Sequence, residues 1–348
     1  MGRKKRHFEK EIAQRYVVDK LLGEGGFCVV FKAYDKETGV KVAIKRMDKT
    51  KPLYRKFNTN KAMEKLNKLM YREADVMRAL DHKNIIRLLD FIDDGHHIYL
   101  VLEYADGGEL NSRLIKMKRF PENYVICIIS QVINGVKYMH DSGYVHRDIK
   151  AENILFKDRT NSVVLITDFG LSKFSEGVLY TNCGTLVYSA PELLKNKKFK
   201  SGYDKMIDNW AIGILTYLLM CGRLPFEDLQ QNENKLIQKI CVGRVSFPYS
   251  EWTNASSIAK RFILKLLETN PENRMSLRDA LEHRFLNHHK KVSVDSYKSV
   301  ERTANDEKSL TLFPMMETSR LQLLARIRWK VIIYLSVIVI NLAEYVKN

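Results

Sequence analysis

Apolar positions in the first hundred residues fall in short β-rich runs broken by glycine and charge. Tyr16–Leu22, Cys28–Tyr34 and Lys41–Met47 read as strands, with turns such as Glu37-Thr38-Gly39 between them, and together they predict an antiparallel meander. Residues 49–70 are rich in Lys and Asn and merge into a helical pattern that runs to about Leu80. Two more strands are predicted near Ile85–Asp90 and Ile98–Glu103. After Gly107-Gly108 the period becomes helical. Tyr124–Met139 carries apolar residues at three-to-four spacing, and Ile207–Cys221 is apolar almost all round, as a core helix would be. Ile258–Leu267 and Leu277–His283 continue the helical half. A β-rich part thus gives way to an α-rich part near Tyr104–Gly108, where small, flexible residues suit a hinge. No internal repeat is visible.

Composition narrows the class. The 348 residues, 45% hydrophobic and 28% charged, suit one large globular domain or two lobes around a substantial core. Cys28, Cys127, Cys183, Cys221 and Cys241 are scattered without a C-x-x-C pair, so neither a disulfide framework nor a zinc site is predicted. The N-terminus shows no apolar leader, and a reducing compartment, cytosol or nucleus, is expected. The formal net charge of +17 is spread along the chain, as on a solvated surface. Its one dense run, Arg3-Lys4-Lys5-Arg6, reads as a nuclear localisation signal, a phosphate-seeking arm or a plain basic tail. Residues 1–15 are read as a basic N-terminal arm. Arg6 stands where a myristoylation signal at Gly2 requires Ser or Thr, so that modification is excluded. No nucleic-acid recognition motif accompanies the charge, and no nucleic-acid partner is expected.

Five segments carry chemistry. Gly23-Glu24-Gly25-Gly26-Phe27-Cys28-Val29-Val30 lies between strands, where glycines let the backbone approach a polyphosphate. Taken alone it is also an ordinary hairpin turn. Val42-Ala43-Ile44-Lys45 ends an apolar strand in a lysine that either snorkels to water or binds phosphate oxygens. The second role needs a carboxylate, and Glu73 on the following helix is the natural candidate, ahead of Glu64. His146-Arg147-Asp148-Ile149-Lys150-Ala151-Glu152-Asn153 gathers acidic and basic side chains and an amide in one loop. There an Asp can orient a hydroxyl and take its proton, a Lys can stabilise phosphoryl charge, and an Asn can hold a metal. Asp168-Phe169-Gly170 follows an apolar strand, Val163–Thr167, and offers a hard oxygen donor for Mg²⁺ or, by itself, a simple turn. Cys183-Gly184-Thr185 and Ala190-Pro191-Glu192 complete the set.

In this order and approximate spacing the five segments resemble the protein kinase signature, over residues 16–286. The resemblance implies an α+β, two-lobed protein kinase fold: a small antiparallel β lobe (16–103) with one key helix, and a larger helical lobe (108–286). ATP is expected between them, near Leu22, Gly23, Gly25, Val30, Ala43 and Lys45, against hinge residues Glu103, Tyr104 and Ala105, with Leu102 as gatekeeper. By the same resemblance Lys45 pairs with Glu73, Asp148 is the catalytic base and Lys150 contacts the γ-phosphate. Asn153 and Asp168 hold Mg²⁺, with Mn²⁺ as an alternative. Glu192 pairs with Arg274, and Asp208 braces the catalytic loop. Lys150 after Asp148-Ile149, and Thr185 in Cys-Gly-Thr, are the serine/threonine form. Protein substrates are implied.

Leu100–Tyr104, Gly107-Gly108-Glu109-Leu110 and Cys221–Phe226 are similar to the calcium/calmodulin-dependent kinase group, and the lengthened stretch between Lys45 and Glu73 to its checkpoint effector kinases. In that group carboxylates placed like Glu109 and Glu152 recognise Arg upstream of the target residue. The other reading is that they face solvent or ribose. Two departures stand out: Cys28 replaces a loop glycine, and Ala151 replaces a proline. No core catalytic residue is missing, which argues against a pseudokinase.

Arg147 before Asp148 implies regulation by a phosphate on the activation segment, with Thr181 as the candidate among Ser172, Ser175, Tyr180 and Thr185. Beyond residue 286 lies a tail, 287–348, that ends in Arg326-Ile327-Arg328-Trp329-Lys330 and the apolar run Val331–Ala343. Three readings are open: a helix packed on the large lobe, an autoinhibitory or calmodulin-binding helix spaced on Trp329 and Leu342, and a marginal membrane anchor, short against a span of about twenty residues.

Overall fold

The computed structural model describes residues 10–24, 28–49, 60–169, 186–195, 205–228, 230 and 232–287. The described chain falls into two compact units. One holds the residues up to Asp81 with Ile86–Ala105; the other holds His82–Ile85 and the chain from Asp106 onward.

The first unit runs α1 (Lys10–Arg15), β1 (Tyr16–Glu24), β2 (Cys28–Asp35), β3 (Lys41–Asp48), α2 (Asn60–Ala79), β4 (Leu88–Asp93) and β5 (His97–Glu103). Its strands form one antiparallel sheet in the order β1-β2-β3-β5-β4. Successive side chains of a strand alternate between faces, and directly paired residues share one. Val42, Ile44, Tyr99 and Val101 thus point to the same side and bury a cluster with Ala33, Tyr16 and Ile12. The presence of Ile12 changes the reading of residues 1–15 as a basic arm. Their last part is a helix that belongs to this core, with Ile12 fully buried. Arg15 reaches Asp90 at 2.7 Å and Asp35 at 3.4 Å, and the Lys36 N–H donates to the Arg15 carbonyl at 2.9 Å. One isoleucine in a six-residue charged helix is too little for a periodic signal.

The fourth strand begins at Leu88, three residues later than the expected Ile85–Asp90. The residues before it are used otherwise. The Ile166 N–H donates to the Asn84 carbonyl at 2.9 Å, the Asn84 amide donates to Val164 and Gln131, each at 2.9 Å, and Ile85 bridges Ile166 in parallel. His82–Ile85 therefore belongs with the second unit, although it lies inside the expected small lobe.

The second unit contains β6 (Gly108–Glu109), α3 (Leu110–Met117), α4 (Glu122–Asp141), a 3₁₀ turn (Ala151–Asn153), β7 (Ile154–Phe156) and β8 (Val164–Ile166). Then follow α5 (Pro191–Leu194), α6 (Met206–Cys221), α7 (Glu233–Val242), α8 (Tyr249–Trp252), α9 (Ser257–Leu266), α10 (Leu277–Glu282) and α11 (Arg284–Asn287). Helix α6 is buried along almost its whole length and ends at Gly222, in the left-handed region at φ 74°. Ser256 and Ser276 cap α9 and α10 by accepting the N–H groups of Ala259 and Asp279.

Within Tyr104–Gly108, the stretch of small residues expected to suit a hinge, Gly107 is packed. A Cβ on Gly107 would come within 2.2 Å of the Asp158 carbonyl and 2.5 Å of the Phe156 Cβ, and Gly108 turns the chain at φ 78° into β6. Among the described residues no helix is long and apolar enough to cross a membrane. Thr181, Thr185, Gly25 and the 326–343 segment lie outside the described residues.

Candidate active site

In the first unit the site grows from register. Gly23 pairs with Val30, Val30 with Lys45, and Lys45 with Leu100, so all four share one face of the sheet. Ala43, paired with Leu102, faces the same way. Leu22 falls in a β-bulge between Leu21 and Gly23 and is exposed. Helix α2 buries Met70, Glu73, Ala74, Val76 and Met77, and Leu80 just after it continues the line, a stripe at three-to-four spacing with one carboxylate in it. That carboxylate meets the strand lysine: Lys45 Nζ lies 2.7 Å from Glu73 Oε1, with Glu73 nearly buried. The alternative, Glu64, has its side chain outside those described. Glu103 closes β5 by donating its N–H to the Arg87 carbonyl at 3.0 Å and accepting the Arg87 N–H at 2.9 Å. Leu102 before it is buried, and half-buried Ala105 ends this part of the unit.

In the second unit the loop after α4 is organised by Asp208, fully buried in the first turn of α6. Its Oδ1 accepts the Arg147 N–H at 2.7 Å. Its Oδ2 accepts the His146 N–H at 2.9 Å and meets His140 Nε2 at 2.8 Å. Burial pushes the Asp208 carboxyl up, but the bonds and charge from His140 and His146 outweigh it and leave the group below the usual carboxylate range. Arg147 is thereby held at φ 69°, a left-handed conformation that L-residues rarely adopt. His146 is locked as well. Its Nδ1 accepts the Asp148 N–H at 3.2 Å, which leaves Nε2 to donate to the Thr167 carbonyl at 3.2 Å.

Asp148 then stands with both hydrogen-bonded neighbours on one oxygen. Oδ2 accepts Lys150 Nζ at 2.6 Å and the Asn153 amide at 2.8 Å, and the same amide donates to the Asp148 carbonyl at 2.8 Å. Burial lowers the Lys150 pKa, but Asp148, with Asp168 and Glu152, raises it above its ordinary value. Lys150 is therefore a cation throughout the neutral range. Asp168, exposed and at φ 68°, follows β8, while Phe169 turns into the interior and packs 5.3 Å from the His146 ring. Burial pushes the Glu152 carboxyl up, nearby Asp148 and Glu109 add to the shift, and Lys150 offsets only part of it. Its Oε2 is buried without a hydrogen-bond partner among the described residues. Deeper in the unit, Arg274 grips Glu192 with both terminal nitrogens, at 2.6 and 2.8 Å.

The Mg²⁺ donors expected from the sequence suit that ion. The Asn153 amide nitrogen is committed to Asp148, which directs the hard carboxamide oxygen to the other side; Asp168 offers a carboxylate. Among the described residues no three His, Cys, Asp or Glu side chains gather as a metal cage. Mg²⁺ needs none, since it takes one or two protein oxygens and completes its shell with water and phosphate.

Sequence reasoning missed His140, 68 residues from its partner Asp208 and carrying no local signal. It also missed Tyr188, buried and with its hydroxyl pKa raised well above its ordinary value by burial and by Glu152.

The family model described as the protein kinase domain matches residues 16–286. The chain belongs to the protein kinase family. A probable myosin light chain kinase of Dictyostelium discoideum is 38% identical over 290 residues, spanning 82% of this chain and 69% of the relative. The calcium/calmodulin-dependent protein kinase type 1 of Caenorhabditis elegans is 37% identical over 278 residues, 79% of this chain and 75% of the relative. The probable serine/threonine-protein kinase fhkC of Dictyostelium discoideum is 36% identical over 82% of this kinase, which spans only 46% of that relative. Among solved structures, Rad53 residues 1–466 in complex with AMP-PNP match with a TM-score of 0.64 at 32% identity, over 79% of this chain and 66% of that one. With these relatives the kinase falls in the serine/threonine class, a family that uses ATP and Mg²⁺.

Proposed function

We propose that the chain is an active serine/threonine kinase that moves the γ-phosphoryl of ATP to protein hydroxyls. The observation that carries this reading is the Asp148 carboxylate, fixed through Oδ2 by Lys150 and Asn153. Oδ1 is left to orient a Ser or Thr hydroxyl and receive its proton. Lys150, held cationic, offsets negative charge on the transferred group. Lys45, steadied by Glu73, holds phosphate oxygens. Asn153 and Asp168 would bind Mg²⁺, which when present neutralises charge on the β- and γ-oxygens. Asp208 and His146 fix the loop so that none of these groups reorganises during the reaction. Labelled phosphate transfer to an arrayed Ser/Thr/Tyr peptide library tests the reading, with Asp148→Asn as the control. Transfer to Ser/Thr peptides that disappears in the control is expected; transfer that persists in the control would overturn it.

The preferred substrate carries basic residues upstream of the target. Support comes from Glu152, whose buried Oε2 has no hydrogen-bond partner among the described residues, while Glu109 adds a second negative charge nearby. A guanidinium would satisfy both. The same library scores this: equal rates on peptides with and without upstream Arg would refute it.

Regulation is proposed through a phosphate on Thr181, read by Arg147, whose backbone Asp208 holds in place. Phosphopeptide mapping of the active enzyme, with Thr181→Ala, is the test; full activity in that variant removes the idea. For the tail, one of these relatives supports calmodulin binding at 326–343, since the C. elegans enzyme is by name calcium/calmodulin-dependent. A calcium-dependent calmodulin pull-down that survives truncation to 1–320 would refute it.

A further inference from the structure

Helix α2 is tied to the sheet on a second flank, by side chains outside every motif above. Lys49, just beyond β3, places its ammonium 2.5 and 2.7 Å from the two carboxylate oxygens of Asp93, at the end of β4. The Tyr71 hydroxyl of α2 donates to Asp93 Oδ2. Lys49 Nζ lies 3.4 Å from that hydroxyl and 5.5 Å from the centre of the ring. Phe91 of β4 sets its ring 5.8 Å from Tyr71, and the Arg78 guanidinium covers Phe91 at 4.6 Å.

Helical geometry gives this cluster its meaning. At 3.6 residues per turn, Tyr71 and Arg78 lie within about 20° of each other around α2, whereas Glu73 is about 160° from Tyr71. A helix held on one flank can still roll about its axis. One held by Glu73–Lys45 on one side and by Tyr71–Asp93–Lys49 on the other cannot roll without breaking a tie. Both lysines belong to the same stretch of chain, Lys45 within β3 and Lys49 directly after it.

We propose that Lys49, Asp93 and Tyr71 are positioning residues for phosphoryl transfer, fixing the roll of α2 so that Glu73 presents its carboxylate to Lys45. The inference rests on the kinase reading above. Charge supports it. Burial opposes ionisation of both Lys49 and Asp93, yet the bonds between them and to Tyr71 raise the first and lower the second. The tie is therefore ionic across the neutral range.

The test is a double-mutant cycle on the full chain. Tyr71→Phe, Asp93→Asn and Lys49→Arg are assayed for kcat and KM(ATP), alone and with Glu73→Gln, alongside thermal melts. Titration with a fluorescent ATP analogue completes the cycle where turnover is too slow to measure. Tyr71→Phe and Asp93→Asn should each lower kcat/KM(ATP) about three- to tenfold. Lys49→Arg, which keeps the cation, should retain most of the activity. In the Glu73→Gln background the Tyr71→Phe effect on turnover or on analogue affinity should shrink to below about 1.5-fold, while the melting shift stays the same. An equal penalty in both backgrounds, or a melting shift with unchanged kcat/KM and affinity, overturns the inference. Wild-type protein that transfers no phosphate overturns the kinase reading first, and this inference with it.

Discussion

The Arg147 N–H donates to Asp208 Oδ1 across 2.7 Å, and that single bond faces a residue held at φ 69°. The same carboxylate takes the N–H of His146 and the ring of His140. One buried side chain on α6 thus fixes the backbone from which Asp148 projects.

Asp208→Asn leaves one acceptor oxygen and turns an N–H toward donors, so Arg147 loses its hold. Turnover should fall about 10- to 100-fold with KM(ATP) nearly unchanged, as measured by steady-state kinetics. A pH signature follows. A carboxyl lowered in the folded state adds stability above its unfolded pKa of about 3.9, and that stability is lost as pH falls through the folded value. Acid unfolding below about pH 4 should therefore be less steep in the variant than in the wild type.

Glu152 has the opposite sign. Its pKa is raised by burial, so its contribution is fully present below the unfolded value, about 4.3, and is lost as pH rises through the folded one. Glu152→Gln should raise the melting temperature by about 1–3 °C at neutral pH and by little at pH 4. The same variant should raise KM for peptides with upstream Arg about tenfold, because the charged partner is gone. Calorimetry and peptide kinetics on one preparation check both.

Arg274 holds Glu192 through two nitrogens, donates to the carbonyls of Met206 at 2.7 Å and Glu268 at 2.8 Å, and lies 5.2 Å from the centre of the Trp210 ring. An ammonium cannot reproduce that fork. Arg274→Lys should cost about 2–4 kcal/mol, because a buried carboxylate is left half-satisfied. Denaturant melts report the loss, and a midpoint within error of the wild type would contradict it.

Cys28 pairs with Met47 and so shares a sheet face with Val30 and Lys45. A side chain there stands where the glycine-rich pattern leaves space. Cys28→Gly should lower KM(ATP) about two- to fivefold, and alkylating the thiol should raise it. Protection of the thiol by ATP in a labelling time course is the companion readout.

The parts of the site legible in the sequence are those whose residues are neighbours in the chain. Asp148, Lys150 and Asn153 sit within five positions, and their roles follow from order alone. Lys45 is legible as a lysine closing an apolar strand, and Glu73 as a carboxylate on the next helix, but the choice over Glu64 needs the buried stripe of α2. Asp208 is legible only through the family resemblance, since its three partners lie more than sixty residues away. The fold shows the same division. Strand alternation gives β1 to β3 within about two residues. It misplaces the start of β4, because Asn84 and Ile85 are committed to other partners, on α4 and β8. Gly107 is misleading for a related reason: composition records that the residue is small, not that Phe156 and Asp158 press against it.

The helix that carries Ile12 and Arg15 lies upstream of the limits by which the family is recognised, residues 16–286. A recombinant fragment cut to those limits would begin at Tyr16. It would lack the isoleucine that fills the cluster around Ala33, Val42 and Tyr99, a loss of about 1.5–3 kcal/mol of burial. The Arg15 partner of Asp35 and Asp90 would go with it, and an uncovered apolar floor beside two carboxylates would remain. Such a fragment would be poorer in yield and quicker to self-associate than one that starts at Lys10 or earlier, so the boundary for producing this protein lies to the left of the boundary for classifying it.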